Sequence, residues 1–274
     1  GYYMLLNTVI HRKYHYLHFI LFLSIVNIVI SDGHEEMVFV KAEDYTFHVE
    51  YRWVEGLTLD SLVQDDAGIR YTNTTEFKTP GYYIDKTEVT NAQFKEFMDA
   101  SGYKPKWSEN FLKHWKNGTY PSGLGNHPVY WVSIEDAKAY ATWAGKRLPT
   151  EEEWQLAAQS TDGRAWPWGN LYDADKANMD SEETKPVGSY PEGASPYGAL
   201  DMTGNVWEWT DSKQLDGNHY WCWIRGGSHY FAKGSRWYIQ GGPVANYQRL
   251  KFWLMTPALN RSPSIGFRCV KDAT

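Results

Sequence analysis

Cysteine is nearly absent. Two residues in 274, Cys222 and Cys269, cannot form a disulfide framework or a four-thiolate zinc site, and they allow one bridge at most. No HExxH pair, Gly-x-Ser-x-Gly elbow or phosphate-cradling glycine loop occurs, so zincin and P-loop chemistry have no carrier, and nothing in the sequence selects a Ser/His/Asp triad. Positive charge is also in deficit: 27 Lys and Arg against 33 Asp and Glu give −6, which weighs against wholesale nucleic-acid binding. What is present is aromatic. With 14 Trp, 20 Tyr and 23 Gly, 42% hydrophobic and only 22% charged residues, the chain does not read as disordered, coiled-coil or collagen-like.

A long apolar run is missing as well. Arg12 and Lys13 precede Phe19 to Ile30, where ten of twelve residues are apolar and Ser24 and Asn27 interrupt. A bilayer span needs about 20 such residues, so residues 1–31 are expected to be a secretory signal cleaved near Ser31-Asp32-Gly33. An uncleaved N-terminal anchor is the alternative, and it would be the only membrane contact. The expected location is secreted, periplasmic or extracellular. Because residues 1–31 hold two cations and no acid, the remainder carries −8.

No repeat, charge block or Pro/Ser-rich linker divides residues 34–274, so a single domain over 32–274 is expected. Strands are expected at Glu36 to Val40 and Tyr82 to Asp85. Three capping boxes, Thr90 with Gln93, Ser133 with Asp136 and Thr150 with Glu153, predict helices at about 90–100, 133–144 and 150–158. After Trp166, Gly, Pro, Asn and Trp follow one another among short apolar pieces. Loops held by aromatic packing, with few strands, are expected there.

The punctuation is specific. Glu88-Val89-Thr90-Asn91, then Trp143 to Trp154 (WAGKRLPTEEEW), Trp166-Pro167-Trp168-Gly169, Pro186 to Ser189 (PVGS), Asp201 to Trp209 (DMTGNVWEW), Arg225-Gly226-Gly227-Ser228 and Ile265 to Arg268 (IGFR) occur in the order found in the formylglycine-generating enzyme, or sulfatase-modifying-factor, family, which this chain resembles. The resemblance implies an α+β, C-type-lectin-like fold, rich in loops with few short strands and helices. Gly204, Gly226, Gly227 and Gly266 are expected at positive φ or at tight backbone approaches.

The family's oxidases hold copper(I) between two thiolates in the segment after Arg-Gly-Gly-Ser. Here His229 to Ile265 contains no cysteine, so copper is not expected. Cys222 and Cys269 are left either bridged to each other or as free buried thiols. The six histidines beyond the leader show no HxxxH or HxH spacing, which argues against an iron site; His219 and His229 flank Cys222. The resemblance implies structural calcium held by Asp201, Gly204, Val206 and Glu208, two carboxylates and two carbonyls, and a second, shortened site at Asn178 and Met179.

Charge is segregated. No Asp or Glu lies between Asp216 and Asp272, while Arg225, Lys233, Arg236, Arg249, Lys251, Arg261 and Arg268 are basic and interleaved with aromatics. Arg236, Trp237, Tyr238, Arg249, Lys251 and Trp253 are therefore expected to line an open surface for an anionic glycan or an acidic peptide or protein partner. The function expected is that of an exported binding or scaffold module. Two alternatives are an enzyme using His229, Tyr238, Arg249 and Lys251 in the same cleft, and a structural subunit of an envelope complex.

Overall fold

A computed structural model describes residues 37–52, 70–217, 219–230, 244–254 and 260–273; the side chains of residues 51, 52, 70, 71, 216, 219, 251 and 253 are outside the description. These residues all belong to the compact unit Asp32–Thr274. Among them, no helix is long and apolar enough to cross a membrane.

The chain enters through β1 (Met37–Val40), β2 (Glu43–Arg52), β3 (Arg70–Thr79) and β4 (Tyr82–Asp85). In β2 the side chains of Tyr45, Phe47 and Val49 are buried and those of Asp44 and Thr46 are exposed, the period-two pattern of a half-covered strand. β3 pairs with it antiparallel over ten residues. β4 lies between β1 and the closing strand β9 (Val270–Asp272), so the two ends of the described chain share one antiparallel sheet.

Helices α1 (Asn91–Ser101), α2 (Ile134–Trp143) and α3 (Glu151–Gln159) fall where their capping boxes place them, and all three boxes are closed in both directions. Each box satisfies otherwise orphaned amides of the first turn, and loss of such a cap typically costs about 1 kcal/mol. α1 ends on Gly102 at φ +65°.

From Trp166 to Val206 the chain runs in loops and two 3-10 turns, as expected; beyond them lies a four-stranded sheet ordered β7 (Leu250–Leu254), β6 (His219–Arg225), β5 (Trp207–Asp216) and β8 (Ile265–Gly266). The β5–β6 ladder shifts register between Trp209 and Lys213. That irregularity hides the alternation from a sequence reading.

Buried apolar side chains form two clusters. One gathers Phe94, Phe97, Tyr140, Phe267, Trp207 and Trp209; the other gathers Tyr45, Phe47, Tyr82, Ile84, Leu156 and Trp154. Full burial of side chains of this size contributes about 1.5–3 kcal/mol each. Close backbone approaches explain two glycines. A Cβ on Gly204 would lie 2.4 Å from the Asn178 carbonyl, and one on Gly266 2.5 Å from that of Val129. Gly204 is also at φ +84°, whereas Gly266 is not in the left-handed region.

Candidate functional site

Glu208 lies on β5 between two buried tryptophans, and Arg268 just before β9. Arg268 grips Glu208 with both arms of its guanidinium, Nε to Oε2 and Nη2 to Oε1 at 2.7 Å each, and Trp154 Nε1 donates to Oε2 at 2.7 Å. Arg268 also donates to the carbonyls of Asp85 and Leu200. Both partners are fully buried. Such a pair stiffens the junction of three segments distant in sequence, while its net stabilisation is offset by desolvation.

Next to it, Glu88 and Asp201 meet side chain to side chain. No N–H or hydroxyl donor reaches either oxygen of Glu88, which is 1% exposed. Burial, and then the charge of Asp201, push the Glu88 carboxyl well above the ordinary carboxylate range. Burial raises Asp201 too, partly opposed by the Gly188 amide that donates to its Oδ2 at 2.5 Å. Burial and mutual proximity disfavour a negative charge on both carboxyls at once, and Arg268 is already committed to Glu208.

The expected calcium ligands do not fit an ion in this arrangement. Both oxygens of Glu208 are taken by Arg268 and Trp154, and the guanidinium supplies the balancing charge. At the second set, Asn178 Oδ1 accepts from Ser181 Oγ at 2.7 Å, and Asn178 Nδ2 donates to the Glu183 carbonyl and to Asn205 Oδ1. The hydroxyl of the shortened loop thus occupies the amide oxygen that a cation would need. Gly204 and Val206 serve the backbone turn into β5, the Gly204 amide donating to the Gly226 carbonyl, and Met179 packs in the interior. Among the described residues, no group of three or more His, Cys, Asp or Glu is placed to hold a metal ion.

Copper fares no better. Cys222 and Cys269 are both free and fully buried. Cys222 Sγ donates to the Thr210 carbonyl at 3.1 Å, and burial pushes its pKa up to about 12. Burial, and then Asp85, raise the Cys269 thiol further. Thiols held protonated in a core supply no thiolate pair.

The surface expected for an anionic ligand is only partly within view. Arg236, Trp237 and Tyr238 lie outside the described residues. Lys251 and Trp253 sit on β7 opposite Trp223 and Trp221 of β6, and their side chains are outside the description. Arg249 is not an open cleft residue. Its side chain is 8% exposed, its Nη1 contacts Glu151 Oε2 at 2.5 Å, and its guanidinium lies 3.6 Å from the centre of the Trp223 ring. The same Glu151 receives Arg225 at 2.7 Å, so one carboxylate at the start of α3 holds two guanidiniums. Arg261 is equally committed, to Asp136 at 2.8 Å.

Of the alternative catalytic set, only His229 and Arg249 have described side chains, and each is engaged with its own partners. His229 Nδ1 donates to the Ser181 carbonyl at 3.1 Å, and its backbone amide to Asn205. Burial lowers its pKa, so it is a neutral strut between two loops. Arg249 belongs to a different cluster, and Tyr238 lies outside the described residues.

A small set of helices and irregular sheets, bound together by buried arginine–carboxylate pairs, is the formylglycine-generating-enzyme form of the C-type-lectin-like fold. The chain belongs to the sulfatase-modifying factor enzyme 1-like domain family, whose model matches residues 31–273. It is 35% identical to the "Inactive C-alpha-formylglycine-generating enzyme 2" of Bos taurus over 70% of this chain and 77% of that protein. It is 39% identical to the hercynine oxygenase of Mycolicibacterium smegmatis over 48% of this chain. That match spans only 37% of the oxygenase. Among solved structures, CarF superposes with a TM-score of 0.57 at 21% identity, covering 87% of this chain and 98% of CarF. PvdO from Pseudomonas aeruginosa gives 0.57 at 20%, covering 86% and 94%. These two likenesses show the fold.

Proposed function

We propose that this chain is an exported, non-oxidising member of the family that works by binding, with an anionic glycan as its ligand. The observation that carries the reading is the state of the two cysteines: they are the only thiols in the sequence, both lie in the core, and neither is available as a thiolate. The family's copper chemistry therefore has no ligands. Similarity along most of both chains to a relative described as inactive supports the same view. Export rests on Arg12, Lys13 and the short apolar run that follows them. Binding without thiol chemistry suits a fold whose α1–α2 connection carries an exposed tryptophan, Trp107, and unpaired lysines.

The test is equilibrium binding of the purified chain to heparin and polygalacturonate, with dextran as the neutral control. Saturable binding to either polyanion, weakened by added salt and absent for dextran, is expected. Equal retention on dextran, or no binding to either polyanion, would overturn the reading.

A further inference from the structure

Most of the arginines in the acid-free C-terminal stretch are spent inside the protein. Arg225 and Arg249 share Glu151, Arg261 holds Asp136, and Arg268 holds Glu208. Exposed cations without an acidic partner cluster in the connection between α1 and α2, while Lys86, Lys185 and Lys213 stand singly elsewhere. Lys104, Lys106, Lys113 and Lys116 are all exposed there, against a single acid, Glu109. By contrast, the surface lysines Lys41, Lys78, Lys95 and Lys138 each pair with a carboxylate.

Two of the unpaired lysines sit on tryptophans. The Lys106 ammonium is 5.7 Å from the centre of the Trp107 ring, and that of Lys113 is 5.1 Å from Trp131. Trp107 is 46% exposed. Successive residues of one strand-free segment anchor both tryptophans. Arg261 Nη1 donates to the carbonyls of Trp107 and Glu109 at 2.9 and 2.7 Å, and the Trp131 amide donates to the Ser262 carbonyl at 3.0 Å. Trp131 is held at φ +58°, a conformation unfavourable for a bulky residue, and bonds on both sides of its peptide maintain it: its carbonyl accepts from Leu112. Buried Arg261 thus does not face a ligand; it positions the loop that does.

We infer that this loop, centred on Lys106, Trp107, Lys113 and Trp131, is a binding surface for an anionic polysaccharide. The inference rests on the proposed function and relocates its site from the C-terminal stretch to the α1–α2 connection. Each ammonium lies over an indole, so a matching ligand must carry its anion and a flat apolar face on the same small unit. A uronic or sulfated pyranose does so: its anion meets the ammonium and its C–H face the indole surface that the ammonium leaves uncovered. In a nucleotide the phosphate is remote from the base, and in an acidic peptide the carboxylate has no flat face beside it. The net charge of −8 outside the leader repels polyanions over the rest of the surface, so the lysine loop is where one can settle.

The test compares the full chain with Lys106→Gln/Lys113→Gln and Trp107→Ala, and with Lys41→Gln/Lys78→Gln as a charge-matched control. All these side chains are surface groups, and unchanged thermal midpoints verify folding. Heparin and polygalacturonate are the polysaccharide probes; poly-L-glutamate and an oligothymidylate are the competitors. At least a tenfold weaker Kd is expected for each loop variant, with the control within twofold of the parent. Polysaccharide binding retained in both loop variants overturns the placement while leaving the proposed function standing. Failure of the parent chain to bind either polysaccharide overturns both. Tighter binding of poly-L-glutamate or of the oligothymidylate overturns the ligand class.

Discussion

Replacing Glu88 by Gln should make the protein less sensitive to rising pH. Glu88 is buried against Asp201, with Arg268 and Glu208 beyond it, and it borders a small cavity shared with Asp85, Lys146 and Tyr140. Its folded pKa is raised, so the stability tied to its proton is complete below the unfolded value, near 4.3, and is lost as pH rises toward the folded value. Within that window the loss is about 1.4 kcal/mol per pH unit. Glu88→Gln, which carries no proton to lose there, therefore keeps stability that the parent loses as pH rises through that window. The burial of Asp201 acts in the same direction, but it is present in both proteins and largely cancels from the difference. The assay is urea unfolding of both proteins at half-unit steps from pH 5 to 8. Parallel stability curves, or a variant weakened equally at every pH, would refute a protonated Glu88.

Other perturbations test the rest of the interior. Glu151→Gln leaves Arg225 and Arg249 without their shared carboxylate and should lower the urea-unfolding free energy by about 3–5 kcal/mol; a loss below about 1 kcal/mol would show the network to be dispensable. Chelation with excess EGTA should leave the thermal midpoint unchanged, since Arg268 and Ser181 occupy the carboxylate and amide oxygens expected to hold calcium; a fall of several degrees would restore the calcium assignment. Neither Cys222 nor Cys269 should react with a thiol-specific disulfide reagent before unfolding, and two thiols per chain should react afterwards.

The local features of this fold were legible in its sequence, and the pairings were not. Thr90, Ser133 and Thr150 announce their helices because a capping box is complete within four residues. The partner of β2 is not announced. Residues 53–69 separate it from β3, whose described residues 72–76 form an exposed polar run before Phe77 packs against the core. Similarly, the arginines after Asp216 look like a surface field because sequence counts charge without burial. Their partners Glu151, Asp136 and Glu208 lie 60 to 125 residues away. The unpaired lysines of the α1–α2 connection were visible as four cations against one acid, a signal masked by the larger imbalance near the C-terminus. Calcium is implied by the family resemblance, which does not reveal that Arg268 and Ser181 engage Glu208 and Asn178.

The proposed non-oxidising function rests on the absence of a thiolate pair for copper. The direct measurement is titration of the reduced, purified chain with copper(I) against a chromogenic chelator, followed by incubation with a cysteine-containing substrate peptide under oxygen and mass analysis for formylglycine. No stoichiometric copper retention and no aldehyde product are predicted, because Cys222 and Cys269 are protonated, separately bonded core residues. One copper per chain together with formylglycine formation would contradict it.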